Sequence, residues 1–175
     1  MKINPTAIRH GAAVGTVQVA LTLIAYIVNT SWLFDAWFGL SSWVLIFVGM
    51  YFALKGIRQE EGNVLSFSRA WGHAYLFVAV NTLIVIGFSI VLYHVIDPGL
   101  VDFAVNTSME RIEEVAALMG GSSEMSEAFE RMEPEIRKGL SPGGQAMSAV
   151  WSMLIYVIPT LVMALIMRRK EDFGA

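Results

Sequence analysis

Few side chains in the apolar parts of this 175-residue chain can do chemistry. His73 and His94 are the only groups in its long uncharged stretches that ionise near neutral pH. They lie 21 residues apart on one stretch, about 32 Å along a helix, so they cannot share a metal ion. His10 can approach His73, but two histidines without a carboxylate make a poor metal or proton-transfer site. The chain has no cysteine, which excludes thiolate ligands, disulfides and thiol catalysis. It has no Gly-x-Ser-x-Gly, no His-Glu-x-x-His and no phosphate-binding glycine loop. No catalytic residue, metal ligand or cofactor is therefore expected, and the chain reads as a non-enzyme without a nucleic-acid partner.

What remains inside the uncharged stretches is neutral and polar. Gln18, Asn81 and Thr160 lie about 11, 14 and 10 Å in from the same end of three stretches, at 1.5 Å per helical residue. They are expected to meet and hydrogen-bond, each bond contributing ~0.6–2 kcal/mol. The rival reading is a polar transport path. The lack of an acid or base at that depth favours a structural role.

Something must hold these groups at that depth. Residues 11–34, 36–54, 70–96 and 140–167 carry no Asp, Glu, Lys or Arg. About 20 mostly apolar residues cross a hydrocarbon core of about 30 Å. Only helices and closed barrels satisfy their own backbone in lipid, and continuous apolar runs point to helices. The first run is too long for a signal-peptide core and ends in Asn29-Thr30-Ser31-Trp32 rather than a cleavage site, so it reads as a retained helix. The expected fold is an all-α integral membrane protein, a single membrane domain over 1–175. Four transmembrane helices cover 11–34, 36–54, 70–96 and 145–167. A cytoplasmic loop covers 55–69, an extracytoplasmic amphipathic helical hairpin 97–139 and a cytoplasmic tail 168–175.

Sidedness follows from the basic residues. With both termini cytoplasmic, the inside holds eight of the twelve, and the outside four beside eleven acids. Arg137 and Lys138, close to the fourth span, sit against the rule. Trp32, Phe34, Trp37, Phe38 and Trp43 gather around the first external turn, as aromatics do at a headgroup boundary. The expected location is a membrane, crossed several times with both termini cytoplasmic, and the lipid bilayer is one partner.

Small residues predict where helices pack: Gly11 with Gly15, Gly49 with Ala53, and Ala70 with Ala74. Pro159 should kink the fourth span. Lys55, Arg58, Arg69, Arg168, Arg169 and Lys170 would form an inner basic face, which orientation and anionic lipid explain.

In the hairpin, Asp97-Pro98 reads as a helix start. Thr107-x-x-Glu110 resembles a capping box and suggests a break near Asn106. Met109, Ile112, Val115 and Met119 share one face, and Met125, Phe129, Met132 and Ile136 another, with glutamates elsewhere. These eight form a candidate partner surface, since methionine suits adaptable interfaces. The alternative is that the two helices cover each other and the bundle end. Pro134 would end or bend the second helix, and Ser141–Gly144 reads as a turn before the fourth span.

Lys55-Gly56-Ile57-Arg58, then Gly62-Asn63-Val64-Leu65-Ser66-Phe67-Ser68-Arg69-Ala70-Trp71-Gly72, then Ile96-Asp97-Pro98 resemble a bacterial membrane family termed domain of unknown function 4199. The resemblance covers nearly the whole chain. It implies a four-span inner-membrane protein typical of Bacteroidota and carries no catalytic residues. The expected function is a non-enzymatic subunit or scaffold that contacts another membrane protein through the hairpin and the Gly62–Phe67 loop. The alternatives are a small transporter or lipid-handling protein, and an accessory subunit of a lipid-linked glycosyltransferase system. Oligomeric state is left open.

Overall fold

The computed structural model describes residues 4–118 and 123–168, with side chains described outside 123–130. The described residues are all-helical: α1 (Pro5–Val28), α2 (Ala36–Glu60), α3 (Phe67–Val91), α4 (Gly99–Leu118), α5 (Ser123–Leu140), α6 (Pro142–Ile155) and α7 (Val157–Met167). A 3-10 turn over Thr30–Phe34 joins α1 to α2, and a π turn over Leu92–Ile96 extends α3. Four helical stretches are long and apolar enough to cross a membrane: Pro5–Val28, Ala36–Glu60, Phe67–Ile96 and Pro142–Met167. This is the architecture of a multi-pass membrane protein. Large apolar side chains such as Ile24, Val48, Leu83 and Ile158 stand on its outer surface. Hydrocarbon rather than a protein core is the solvent that suits them.

The helix boundaries follow from caps rather than from charge. Three helices start with a polar residue followed by proline. Asn4 Oδ1 accepts from Thr6 N at 2.9 Å, Asp97 Oδ1 from Gly99 N at 3.1 Å, and Ser141 Oγ from Gly144 N at 3.1 Å. The side chain satisfies an orphan amide while proline supplies a helical φ without needing a partner. Ser141–Gly144 is thus the first turn of α6 rather than a separate turn, and the fourth span begins at Pro142. Asn29 stops α1 in an extended conformation, so residues 30–34 form a separate short turn. Helix α4 runs unbroken through Asn106: Ala104 and Val105 just before it are buried, and Ser108 Oγ donates back across it to Ala104 O. Helix α5 likewise runs through Pro134. The fourth span is interrupted at Tyr156, within a turn before Pro159. There the missing proline amide leaves the Ile155 carbonyl without its helical donor.

Helices α1 and α3 run parallel and nearly touch. A Cβ on Gly11 would stand 2.6 Å from the Phe77 carbonyl oxygen, and one on Gly15 3.1 Å from Ile84 Cβ. Without these hydrogens-only positions the two backbones could not approach so closely. Gly49 admits Phe77 from the other side, its absent Cβ lying 3.1 Å from the ring. Phe77 then anchors a core of Ile46, Met50, Ala53, Leu54, Ala74, Val78 and Met167. Ala70 falls in a second cluster at the end that holds the termini, with Ala7, Ile57, Leu65 and Ala164. Helix α7 packs on both α2 and α3, whereas α6 rests on α3 and α5. This difference opens the bundle on one side.

Candidate functional site

Because α7 closes against α2 but α6 leans toward α5, the half of the bundle nearer the hairpin has a lateral gap between α2 and α6. A cleft of about 320 Å³ fills it. Phe38, Gly39, Ser42, Trp43 and Ile46 form one wall, and Ser152 and Tyr156 the other. Helix α3 supplies the back through Asn81, Thr82, Val85 and Ile86, and α1 contributes Gln18 and Thr22. Trp43 and Tyr156 meet at 4.9 Å between ring centroids, where the two walls come closest. A second hollow of about 170 Å³, lined by Leu33, Phe88, Ser89, Leu92 and Tyr93 among others, shares Thr22, Phe38 and Val85 with the first. The two together lead from mid-span toward the hairpin.

At the floor of the cleft, Asn81 Nδ2 donates to Gln18 Oε1 at 2.7 Å, and Gln18 Nε2 donates to the Ser42 carbonyl at 3.3 Å. Two of the three predicted polar residues therefore meet and link α1, α2 and α3. Thr160 stands apart. It is buried, but its hydroxyl donates to Tyr156 O and Val157 O of its own span. A short β-branched hydroxyl reaches the carbonyl one turn back, where a long carboxamide reaches across. Replacing Asn81 with leucine should destabilise the protein by about 1–2 kcal/mol, since it strips a buried amide of its partner. A double-mutant cycle with Gln18→Leu, read from unfolding of the detergent-solubilised protein, should return a coupling of about 0.6–1.7 kcal/mol. Additive single effects would mean the pair is not bonded.

No charged residue lines the cleft. Charge instead collects at the two ends of the bundle. At the end holding the termini, Glu60 accepts from Asn4 Nδ2 and Thr6 Oγ1, both at 2.9 Å, and pins the start of α1 to the end of α2. Arg69 pairs with Glu61 at 2.5 Å. The predicted basic face is therefore partly neutralised. Lys55 and Arg58 are half-buried and Arg168 is exposed, while Arg169 and Lys170 lie outside the described residues. His73 is fully buried beside this network, and both its ring nitrogens lack a partner, as do Arg58 Nε and Glu61 Oε2. His10 Nδ1 lies 2.9 Å from the Thr6 carbonyl. His94 turns to the opposite end, where Nε2 sits 3.0 Å from the Leu140 carbonyl at the α5–α6 corner. Among the described residues no three His, Asp or Glu side chains are grouped to hold a metal.

The hairpin is fastened to the bundle. Arg111 of α4 donates to the Phe34 carbonyl and pairs with Asp35 at 2.7 Å. Phe103 packs on Phe34 at 5.6 Å, and Tyr26 donates to Asp97 at 2.9 Å. Arg137 of α5 pairs with Asp102 of α4 at 2.5 Å. None of these ties was anticipated from sequence; Arg111 and Asp35 lie 76 residues apart, with only opposite charge to signal them. Of the candidate partner surface, Met109, Ile112 and Ile136 are half-buried, Val115 and Met132 are exposed, and Met119, Met125 and Phe129 lie outside the described side chains. In the Gly62–Phe67 loop, Leu65 is buried in the bundle and unavailable to a partner.

No curated protein and no solved structure matches the chain. A family model described as "Protein of unknown function (DUF4199)" matches residues 9–169, which include the cleft, the hairpin and all of the spans but the first four residues of α1, and the chain belongs to that family.

Proposed function

We propose that the protein is a non-enzymatic membrane subunit whose helical hairpin, on the extracytoplasmic side, docks another membrane protein. One observation carries this reading: α4 is clamped to the bundle at Arg111, yet Val115, one turn beyond the clamp, is 56% exposed amid glutamates. A fastened helix loses little freedom on binding, so its apolar residues contribute more of their burial to affinity. The acids Glu110, Glu113 and Glu114 around Val115 call for a basic rim on the partner.

A photo-crosslinking amino acid at Val115, in the full chain expressed in its native membrane, tests this. A single protein should be captured in fixed ratio to the chain. Arg111→Ala, which frees α4, should lower the yield by about fivefold or more, equivalent to about 1 kcal/mol. Capture of lipid alone, or the same protein pattern from a crosslinker at lipid-facing Leu83, would overturn the reading.

A further inference from the structure

We infer that the cleft between α2 and α6 binds an uncharged, small-headed lipid, with its hydroxyl or ester groups on the cleft floor and its hydrocarbon along the walls. This inference does not rest on the hairpin.

The opening faces sideways, between two spans, so whatever enters comes from the bilayer. Its walls are apolar and aromatic: Phe38, Trp43, Ile46, Val85 and Ile86. The cleft and the adjoining hollow, about 320 and 170 Å³, together fall within the roughly 300–1,000 Å³ usual for ligand sites. From Asn81 to Tyr93 they follow α3 for about 18 Å, close to the depth of one leaflet, about 15 Å.

The polar groups decide what kind of lipid fits. Thr22, Ser41, Ser108 and Thr160 each donate their hydroxyl to a carbonyl of their own helix. Among the described residues, the hydroxyls of Ser42, Thr82 and Ser152, which line the cleft beside Thr22, have no such partner, nor has that of Ser89 in the adjoining hollow, nor those of Thr16 and Ser148, which are exposed outside the cleft. Thr82 is only 6% exposed, and it lines the cleft. A ligand bearing hydroxyl or ester oxygens satisfies the three in the cleft. A phosphate or an ammonium does not, because it would leave water at mid-span and meet no opposite charge there. A monoacylglycerol or diacylglycerol has the required chemistry: a neutral head with donors and acceptors, and a chain.

The geometry also supplies the blocking variant. A Cβ on Gly39, at the mouth, meets nothing within 4 Å, and the same holds for Gly87, exposed on α3 and outside the cleft. Gly39→Leu fills the mouth without disturbing the bundle, and Gly87→Leu is its control.

The full chain is reconstituted in phosphatidylcholine nanodiscs with a trace of monoacylglycerol carrying a diazirine in its chain. Crosslinks are mapped by mass spectrometry. Labels should fall on cleft residues and be displaced by unlabelled monoacylglycerol. Gly39→Leu should reduce them about tenfold, the penalty of overfilling a site, and Gly87→Leu should leave them unchanged. If Gly39→Leu does not fold, Thr82→Val with Ser152→Ala keeps the cleft's shape, removes two hydroxyls and should likewise cut the labelling. Labels spread evenly over lipid-facing positions such as Val48 and Leu83 would overturn the inference. So would equal labelling of the cleft by a phosphatidylglycerol carrying the same diazirine, or labelling unaffected by every cleft variant.

Discussion

Gly11→Leu should leave little folded protein. The first carbon of any side chain at Gly11 would stand 2.6 Å from the carbonyl oxygen of Phe77, and that oxygen is backbone. It cannot swing aside as a side chain would. Relief requires α1 to move off α3 along the seam where the two helices lie closest. Gly15 shares that seam, and the Asn81–Gln18 bond crosses it one turn further on. Overfilling a well-packed site costs about 1–3 kcal/mol, and here the lost interhelical bond adds about 0.6–2 kcal/mol. Gel filtration in detergent should show aggregate in place of a single peak. Gly39→Leu, an equal change of volume at an open position, should elute normally. A Gly11→Leu protein as stable as the parent would show that α1 and α3 do not meet at this glycine.

Leu65→Ala is expected to be nearly as damaging, although Leu65 lies in a connecting segment. The chain reverses at Gly62 and Asn63, both with positive φ, 71° and 66°. Glycine adopts that conformation freely and asparagine tolerates it. The Asn63 amide donates to the Arg58 carbonyl at 2.8 Å and closes the end of α2. That turn delivers Leu65 into a fully buried position among Ala7, Ile57, Ala70 and Ala164, which come from α1, α2, α3 and α7. Four elements thus share one side chain. Truncating a buried leucine costs about 2–5 kcal/mol, with the spread set by how far the cavity collapses. Alanines at three of the four neighbours have little side chain with which to fill it. Thermal unfolding in detergent should show the loss, and limited proteolysis should cut between residues 59 and 66 first. Leu65→Met, close in volume, should cost under about 1.5 kcal/mol. A Leu65→Ala protein with unchanged unfolding would place Leu65 outside the core.

Both predictions concern residues whose importance was only partly legible beforehand. Gly11, Gly15, Gly49, Ala53, Ala70 and Ala74 stood out as small residues at helical spacing, and the structure places all six in contacts between helices. Leu65 read as part of a loop offered to a partner, because a segment as short as Gly62–Phe67 carries no periodicity that says which of Val64, Leu65 and Phe67 turns inward.

The four spans could be read from the sequence because the penalty for charge in hydrocarbon applies residue by residue along the chain. A run of 19 to 28 uncharged residues declares itself whatever surrounds it. The helix start at Asp97-Pro98 was similarly local, since such a cap acts on amides within three residues, whereas the same signal at Ser141-Pro142 read as a separate turn. Depth was local too, and it placed Gln18, Asn81 and Thr160 at one level. Depth alone does not say which way a side chain points around its helix, nor whether it bonds to a neighbour or to its own backbone. The tertiary structure decided that, pairing the two carboxamides and leaving Thr160 to its own span. It also decided that α6 should part from α2, because the break at Tyr156 lets the two halves of the fourth span follow different neighbours. The cleft exists only in that divergence, and no property of single residues along the chain encodes the angle between two helices.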